Sequence, residues 1–383
     1  MTPLAADPAS ADADLLPAMR LACVPGVGAR MRQILLDRFG SAEAVFAATS
    51  AEIASIPGIG RKLPKLIPEL ATDPTAERML EFCRSRGVGI IRADSDAYPG
   101  LLSRIDDPPP LLFVRGALEP CDALAVAIVG SRHPTAYGRQ VAWQLAGSLA
   151  RAGYTVVSGL ARGIDAAAHR GALDAGGRTI AVLGTGVLHV YPPEHAELAV
   201  EVIGRGALVS EAPPLSEPFR GAFPQRNRIV AGLSLGTIVV EAADRSGALI
   251  TARLAGEQGR EVFAVPGPID SRMSRGCNRL IRDGATLVQS IDDVLEELGP
   301  LFEATTTSDG RTVRTPAELQ LADVEQQVLA AVDACGGSTT AAANIDSLVE
   351  TTGLTASQVL STLGVLEMRR IIRRLPGNRV ARA

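Results

Sequence analysis

Apolar residues recur at helical spacing through the N-terminal part of the chain, and the same short motif interrupts them twice. Both motifs read apolar-Pro-Gly-apolar-Gly, at Val24–Gly28 and at Ile56–Gly60. The helices that we predict around them are Leu15–Cys23, Ala29–Phe39, Ala51–Ser55 and Arg61–Leu70. A tight glycine-containing turn between two helices is typical of a helix–hairpin–helix motif. The repeat therefore predicts an all-α helix–hairpin–helix domain over residues 15–72.

The segments on either side of this domain have different patterns. Residues 1–14 are rich in Ala, Asp and Pro, and we expect a disordered tail there. Residues 73–122 lead into the next domain, with a predicted helix at Thr75–Arg86 and predicted strands at Val88–Arg92 and Leu111–Arg115. The run Pro108–Pro110 between those strands cannot lie inside a helix, so it marks a boundary.

From Ala123 onward, short and continuously apolar strands alternate with helices. The predicted strands are Leu124–Val129, Thr155–Val157, Thr179–Leu183, Ala207–Ser210, Thr237–Glu241 and Val262–Val265. The predicted helices are Tyr137–Ala152, Asp165–Ala175, Ala196–Gly204, Asn227–Ala231, Ala248–Gly259 and a closing helix, Asp292–Leu298. This alternation is typical of a parallel sheet covered on both faces. We predict a Rossmann-like, doubly wound, mostly parallel α/β domain over residues 73–299.

A polar, Thr-rich stretch separates this domain from a last unit. Residues 300–318 are a predicted linker, and residues 319–383 a predicted winged helix. The elements of that domain are the helices Ala322–Ala334, Asn344–Thr351 and Ala356–Arg369 and the hairpin strands Ile371–Leu375 and Arg379–Arg382. Gly353 falls in the turn of the predicted helix-turn-helix.

Composition narrows the class of protein. A chain of 383 residues that is 46% apolar and 21% charged has room for several folded domains. No apolar run approaches the roughly 18 residues of a membrane helix. No basic cluster precedes an apolar stretch at the N-terminus, so we expect neither a membrane segment nor a secretory signal. The five cysteines form no CxxC pair, which predicts reduced thiols in the cytoplasm.

The net charge of −4 argues against a protein that coats duplex DNA, although binding depends on local clustering. Arg supplies nearly all of the positive charge, and either phosphate recognition or a GC-rich genome explains that preference. Aromatic residues make up only 3% of the chain, so an extended stacking platform is not expected.

Three segments of the central domain carry candidate chemistry at the carboxyl edge of the predicted sheet, where such folds bind anionic ligands. They are Gly130–Gly138, Ser158–Asp165 and Arg220–Arg228. In the third, we expect Pro224 to stop any preceding helix and Arg226 to open the next one. Arginines at a helix N-terminus oppose the helix dipole, so they favour an anionic ligand over a solvated basic turn, which remains the alternative.

The same segments argue against several kinds of enzyme site. Gly130–Gly138 is not GxGxxG, and the strand ending at Ser158 lacks the acidic residue that binds ribose, so NAD is disfavoured. We interpret Asp165 as a helix N-cap rather than a catalytic group, and His169 as a packed histidine. His189 and His195 have no partner at metal-ligand spacing. We therefore expect no metal and no cofactor.

Several of these stretches, in this order, closely resemble the DprA/Smf family of DNA-processing proteins. The stretches are Ile128–Arg132, Ser158–His169, Phe223–Leu233, Ser246–Ala252, Val265–Gly267 and Gly276–Ile281. The resemblance runs from about Ile90 to Leu298, and the flanking domains are similar to family variants with an N-terminal accessory domain and a C-terminal Z-DNA-binding-like domain.

The resemblance implies a non-enzymatic mediator of homologous recombination and natural transformation. Its expected partners are single-stranded DNA, RecA loaded onto that DNA, single-strand-binding protein, and a second copy of the chain through the Rossmann-like domain. The DNA-binding residues that it implies are Gly130, Ser131, Arg132, Ser158, Gly159, Arg162, Arg220, Phe223, Arg226, Asn227 and Arg228. The family often has a basic residue three positions before the Phe, and here Arg220 stands there with Gly221 following.

The flanking domains offer possible secondary DNA contacts. Beside the two hairpins lie Arg30, Arg61 and Lys62. The turns of such hairpins direct backbone N–H groups toward a phosphate, and the alternative is that the hairpins serve only as packing units. In the C-terminal domain, Arg369, Arg370, Arg373 and Arg374 lie in a basic segment that also contains Arg379 and Arg382. Apolar residues among them predict that the segment packs and fixes some arginines on one surface, whereas a solvated basic tail is the alternative.

Two other classes of protein compete with this interpretation. A Rossmann-like nucleotide phosphoribohydrolase of the lysine-decarboxylase-like group carries PGGxGTxxE, and Ser234–Glu241 is the corresponding stretch here. The paired glycines are missing and Glu241 falls one residue late, so its side chain is expected to point elsewhere. A transcription regulator built on the winged helix would leave the arginines of the central domain unexplained.

Overall fold

A computed structural model of the protein describes residues 8–219, 221–298, 305–306, 312–313, 321, 323–335, 342–368 and 371–382. Within these ranges, none of the helices has both the length and the apolar character needed to cross a bilayer.

The N-terminal domain consists of short helices that share one apolar cluster, and the first helix also packs against the central domain through Met19. They are α1 (Pro8–Cys23), α2 (Ala29–Phe39), α3 (Ala42–Ala47), α4 (Ser50–Ala54) and α5 (Leu63–Glu69), and a 3₁₀ turn at Leu70–Thr72 follows. Sequence periodicity missed α3, which is only six residues long and begins where the Ser41 hydroxyl accepts a hydrogen bond from Ala44 N at 3.2 Å.

The two hairpins repeat each other in hydrogen bonding as well as in sequence. Val27 N donates to Val24 O at 3.1 Å, and Ile59 N donates to Ile56 O at 3.3 Å in the second copy. All four of these side chains are buried in the apolar cluster of this domain. The predicted pair of helix–hairpin–helix motifs is therefore confirmed, and its apolar positions hold the turns against the core.

The expected disorder of residues 1–14 is wrong for residues 8–14, which form the start of α1. The residues there include several alanines, which have the highest helix propensity, and Pro8 occupies the first helical position, where proline is tolerated. Residues 1–7 lie outside the described residues.

The central domain alternates strands and helices as predicted. Its helices are α6 (Thr75–Ser85), α7 (Ala136–Arg151), α8 (Ile164–Asp174), α9 (Ala196–Arg205), α10 (Ala222–Gly232), α11 (Gly247–Glu257), α12 (Arg275–Arg282) and α13 (Ile291–Leu298). Its strands are β1 (Gly89–Arg92), β2 (Leu111–Gly116), β3 (Ala125–Gly130), β4 (Thr155–Ser158), β5 (Thr179–Val182), β6 (Ala207–Ser210), β7 (Gly236–Val240), β8 (Glu261–Ala264) and β9 (Thr286–Leu287).

These strands form one sheet in the order β1-β2-β6-β5-β4-β3-β7-β8-β9. The pairs β1–β2 and β2–β6 are antiparallel, and the remaining pairs are parallel. The chain begins the parallel part at β3, builds outward to β6 on one side, and then crosses to β7 on the other. Val126 accordingly pairs with Val156 of β4 and with Gly236 of β7. This reversal beside β3 is the topological switch point at which open α/β sheets bind ligands.

The sheet is buried on both faces, which explains why its strands are continuously apolar. Alternate side chains of β3 enter different clusters, with Ala127 on one face and Val126 and Ile128 on the other. Both clusters extend along neighbouring strands, so the central strands are rigid supports for the loops at their ends.

Helix α10 differs from its predicted position because it begins at Ala222, five residues before the predicted Asn227. Pro224 lies in its first turn, where backbone N–H groups donate no intrahelical hydrogen bond. The missing N–H of proline therefore does not stop the helix. Helix α12 was not predicted because its sequence, RGCNRLIR, is dominated by polar residues.

The predicted linker contains two short paired strands, β10 (Thr305–Thr306) and β11 (Thr312–Val313), and its other residues lie outside the described ranges. The C-terminal domain is the predicted winged helix. Its elements are α14 (Asp323–Ala334), β12 (Ala343–Asn344), α15 (Ile345–Thr352), α16 (Ala356–Met368), β13 (Ile372–Leu375) and β14 (Arg379–Arg382). The strands pair in the order β12-β14-β13, and Gly353 ends α15 in the left-handed conformation.

Candidate functional site

The candidate site is a cleft of about 690 Å³ at the carboxyl ends of β3, β4 and β7, which we call the central cleft. The loops that follow these strands form its floor and one wall, and the first half of α10 forms another wall. Seven of the residues predicted for DNA binding line it: Gly130, Ser131, Arg132, Gly159, Phe223, Arg226 and Asn227. The cleft lies at the topological switch point, as expected for a ligand site in this fold.

Two glycines are required by the packing of the floor. A Cβ atom at Gly159 would lie 2.3 Å from two guanidinium nitrogens of Arg226, so only glycine lets that side chain lie against the backbone. A Cβ atom at Gly130 would lie 1.9 Å from the carbonyl oxygen of Val240 on β7. Both glycines thus allow close approach of the groups that shape the cleft.

The floor is built around the buried pair Arg226 and Asp165. Arg226 is 5% exposed and donates from Nη1 to the carbonyl oxygen of Val182, while its Nε has no hydrogen-bond partner among the described residues. Burial lowers the pKa of Arg226 to about 10, against the opposing effect of Asp165, so the guanidinium remains charged at neutral pH. The floor of the central cleft therefore holds a charged guanidinium beside the carboxyl group of Asp165.

Asp165 holds the loop after β4 rather than capping α8. Its carboxylate accepts hydrogen bonds from Gly159 N at 3.1 Å and Ala161 N at 3.3 Å, whereas the N-cap residue of α8 is Gly163. The N-cap interpretation of Asp165 is therefore wrong. Burial raises the pKa of this carboxyl group, although Arg226 and the two N–H donors act in the opposite direction.

The mouth of the cleft carries an exposed arginine next to an aromatic pair. The guanidinium carbon of Arg132 lies 5.4 Å from the centroid of the Phe223 ring, within cation–π range. The Phe223 ring is itself 5.5 Å from the ring of Tyr191, at an interplanar angle of 42°. Phe223 is half-buried, so one part of the ring is anchored and the rest faces the opening.

Three other predicted residues, Ser158, Arg162 and Arg228, are not part of the lining of the cleft. Ser158 is fully buried and donates to the carbonyl oxygen of Ile128 at 2.6 Å. Arg162 lies on the loop before α8 and forms an ion pair with Glu194 in which both side chains are 49% exposed. Arg220 lies outside the described residues.

Arg228 points away from the cleft although it is only two residues from Arg226. Its Nη1 and Nη2 donate to the Glu211 carboxylate at 3.1 and 2.8 Å, and its Nε donates to Asp107 Oδ2 at 3.1 Å. Two residues along a helix correspond to about 200° of rotation, so the side chains of Arg226 and Arg228 extend from different sides of α10. Arg228 ties α10 to the loop before β2 and the end of β6.

Sequence analysis missed a second basic wall of the cleft. Arg245 and Arg272 line it from the loops after β7 and β8, and both side chains are exposed. Asp244 lies among them, and its carboxylate is 3.9 Å from Arg279. A single Arg in each of two loops has no sequence pattern, so only their position after neighbouring parallel strands could have identified them.

Two residues considered for enzyme chemistry, Glu241 and His169, make hydrogen bonds outside the central cleft. Glu241, the residue expected of a phosphoribohydrolase, accepts a hydrogen bond from Thr135 N at 2.8 Å at the start of α7 and does not line the central cleft. His169 is fully buried, with Nδ1 2.7 Å from Thr179 Oγ1, as the packed-histidine interpretation predicts. No group of three or more His, Cys, Asp or Glu residues in the described ranges is arranged to hold a metal.

The candidate secondary contacts differ in their surroundings. Arg30, Arg61 and Lys62 are exposed beside the two hairpins, and Gly58, Gly60 and Arg61 line a shallow pocket there. In the wing, Arg373 is exposed and Arg374 pairs with Glu367 at 3.1 Å. Arg369 and Arg370 lie outside the described residues.

Comparison with known families gives three matches along the chain. Residues 89–299 match the family described as DNA recombination-mediator protein A. Residues 312–378 match the DprA winged helix domain, and residues 19–67 match a SAM-like helix-hairpin-helix tandem. The matches follow the boundaries of the three folded units.

Curated relatives align over most of their length. The chain is 34% identical over 389 residues to Protein Smf from Synechocystis sp., which covers 94% of this chain and 96% of that protein. It is 41% identical over 292 residues to Protein Smf from Escherichia coli, covering 76% of each.

Two solved structures are similar to this one. DNA processing protein A from Streptococcus pneumoniae superposes with a TM-score of 0.64 at 36% identity, covering 73% of this chain and 97% of that chain. DNA processing protein A from Helicobacter pylori, whose structure is described as showing a single-stranded DNA binding mode, superposes with a TM-score of 0.50 at 30% identity. That superposition covers 56% of this chain and 97% of the other.

Proposed function

The chain belongs to the DNA recombination-mediator protein A family, and from this membership we propose that it binds single-stranded DNA in the central cleft. The observation that carries this proposal is the exposed guanidinium of Arg132 held over the ring of Phe223 at the mouth of the cleft. The Helicobacter pylori relative described as binding single-stranded DNA supports the same ligand.

The cleft has the chemistry that a single strand requires. Arg132, Arg245 and Arg272 are placed to contact phosphates, and the charged Arg226 in the floor adds a fixed positive potential. The Nε of Arg226 is a buried donor with no described protein partner, so a phosphate oxygen is a suitable acceptor for it. Phe223 offers a ring face for a base, which is tolerant of sequence because every base can stack.

The biological role follows from family membership. We propose that the chain protects incoming single strands, loads RecA onto them in the presence of single-strand-binding protein, and acts as a homodimer through its central domain in the cytoplasm. Homologous recombination and natural transformation are the processes that use this activity. Arg162 and Arg220 remain proposed DNA contacts, and Ser158 and Arg228 are reassigned to supporting the walls of the cleft.

The proposal is tested by single-strand binding as a function of salt. The logarithm of the binding constant is expected to fall with the logarithm of salt concentration by about 0.7 for each phosphate contact. Arg132→Ala is expected to weaken binding by roughly 1.5–3 kcal/mol because it removes a charge-assisted contact. Fluorescence anisotropy with a labelled oligothymidylate measures both quantities.

Arg253→Ala is the matched control because Arg253 is 68% exposed on α11 and does not line the cleft. A binding constant that does not respond to salt, or equal affinities of the Arg132→Ala and Arg253→Ala variants, would rule out the central cleft as the DNA site.

We also propose that the protein has no hydrolase activity of its own. Glu241 is bound at the start of α7, so it is not free to act on a nucleotide in the cleft. Incubation with nucleoside monophosphates is expected to release no free base. Release of free base that disappears in a Glu241→Gln variant would instead support the phosphoribohydrolase hypothesis.

A further inference from the structure

A second concave surface begins where the central cleft ends. It lies between α7 and α8, has a volume of about 770 Å³, and we call it the α7–α8 groove. The residues that matter for its chemistry are Arg132, His133, Arg139, Trp143 and Arg170. Arg132 and His133 line the central cleft as well, so the two surfaces are continuous across the loop that follows β3.

The groove is basic along its length. Arg132, Arg139 and Arg170 line it, and its lining includes neither Asp nor Glu. Arg139 donates to the carbonyl oxygen of Pro134 at 3.0 Å, which orients its guanidinium without neutralising it. Arg170 is 3.4 Å from Glu201, but both side chains are about half exposed, so water and salt screen that pair. A polyanion would therefore find positive charge that is only partly compensated here.

An exposed tryptophan lies in the same groove. Trp143 is 44% exposed, and its indole Nε1 donates to Asp174 Oδ2 at 2.7 Å, which fixes the orientation of the ring. Leaving this much aromatic surface in water costs free energy that burial would recover. An aromatic face among arginines is the combination that binds single-stranded nucleic acids by stacking and phosphate contact.

We propose that the α7–α8 groove is a second subsite for single-stranded DNA, which receives the part of the strand that leaves the central cleft past Arg132. A base stacks on Trp143, and neighbouring phosphates contact Arg139 and Arg170. This proposal rests on the proposed function of the central cleft, and it adds a direction in which the strand runs.

The chain offers a direct readout, because Trp143 is its single tryptophan. Oligothymidylates of about 4, 8 and 16 nucleotides span the usual range of single-strand site sizes. At saturation, we expect the 4-mer to leave Trp143 emission nearly unchanged and the 16-mer to quench it, since only the longer strand reaches both subsites. The measurement uses the full chain.

Variants of the groove separate its contribution from that of the cleft. The double variant Arg139→Ala/Arg170→Ala is expected to bind the 16-mer about fivefold to tenfold more weakly. Its salt slope is expected to be smaller by about 1.4 for the loss of two phosphate contacts. Affinity for the 4-mer should stay within about twofold of the wild type, because these arginines do not line the central cleft. Arg253→Ala/Arg282→Ala removes the same charge from exposed sites outside the groove and is the matched control.

The stacking contact is tested separately. Trp143→Ala is expected to weaken 16-mer binding by at least about fivefold, whereas Trp143→Phe keeps a ring face and should retain most of the affinity. Equal affinities of these two variants, whether both are reduced or both are unchanged, would overturn the stacking role.

Other results of these measurements would overturn the proposed role of the α7–α8 groove. If the 16-mer causes no quenching and the groove double variant matches its control, the groove is not a DNA subsite. A Trp143→Ala variant that changes the sedimentation coefficient without changing 16-mer affinity would assign the groove to a protein interface and overturn the proposal. Failure of the cleft proposal gives a different result, because Arg132→Ala would then leave 4-mer binding unchanged.

Discussion

The central cleft and the wing of the C-terminal domain both come from segments rich in arginine, but the two regions use that charge differently. In the cleft, Arg226 is buried in the floor, and Arg132 stands exposed at the mouth over an aromatic ring. In the wing, Arg382 is 6% exposed and pairs with Asp333 at 2.6 Å, and Arg374 pairs with Glu367. Arg373 and Arg379 are exposed on the wing strands.

The density of arginines in a sequence therefore does not measure the positive charge available to a ligand. In the central domain, backbone N–H groups donate hydrogen bonds to the Asp165 carboxylate and hold it in the floor of the cleft. Arg132 lies at the mouth of the cleft. In the wing, acidic residues of α14 and α16 are within reach of the strands. The strongest interaction with an anionic ligand is therefore expected in the cleft, with a weaker one at the wing.

The largest expected effect concerns stability and separates Arg228 from the proposed DNA site. Arg228→Ala should lower the free energy of unfolding by about 2–3 kcal/mol, because it leaves the partly buried carboxylate of Glu211 without its partner. Urea unfolding measures the change. Single-strand affinity of the folded protein should stay near the wild-type value.

The neighbouring Asn227→Ala is the matched variant for stability, since Asn227 lines the cleft and its side-chain amide lies 3.4 Å from Gly247 O. It should change the free energy of unfolding by no more than about 0.5 kcal/mol. If Arg228→Ala instead left stability unchanged and weakened DNA binding, the two sides of α10 would have been assigned the wrong way round.

The periodicity of the sequence was sufficient to predict the fold because each domain has one characteristic sequence pattern. Continuous apolar runs identify strands buried on both faces, and the strand at Ala207–Ser210 was predicted with its observed bounds. The repeated hairpin motif identified the N-terminal domain because both glycine turns are followed by helices. Short elements such as α3 and the two-residue strand β9 are below the length at which a period can be recognised.

The candidate site was only partly predictable, for a different reason. A motif shows that Arg226, Asn227 and Arg228 are adjacent, but the starting residue of α10 decides which of them faces the cleft. That start depends on where Pro224 falls in the first turn, and sequence analysis placed it after the proline instead of before it. The wall formed by Arg245 and Arg272 depends on the order of the strands in the sheet, which only the three-dimensional fold provides.

A second prediction uses pH to separate the two regions, because all four histidines of the chain lie in the central domain. Burial, with smaller effects of Arg226 and His195, lowers the pKa of His169 to about 3, compared with about 6.5 in an unfolded chain. Below pH 6.5 the unfolded state therefore binds a proton that the folded state does not. The central domain should lose about 2 kcal/mol from this group between pH 7 and pH 5, and more as the pH falls toward 3.

The measurement is urea unfolding followed by the emission of Trp143, which reports on the central domain. His169→Gln removes the titrating group, so its loss of stability between pH 7 and pH 5 should be smaller by the same amount. Equal pH dependence of the wild type and His169→Gln would show that His169 is not the source of the effect.

The smallest expected effect is a second nucleic-acid contact at the wing. Arg373 and Arg379 are exposed, and Ile371, Ile372 and Val380 are buried beneath them, so these arginines have a fixed surface from which to contact phosphates. Truncation at about residue 305 should weaken binding of long oligonucleotides by about threefold to tenfold, because a tethered second site adds affinity only when the strand spans both. Binding of short oligonucleotides should be unchanged, and quenching of Trp143 by the 16-mer should persist, because the α7–α8 groove belongs to the central domain. Equal losses for short and long strands, or no loss for either, would show that the wing is not a tethered DNA site.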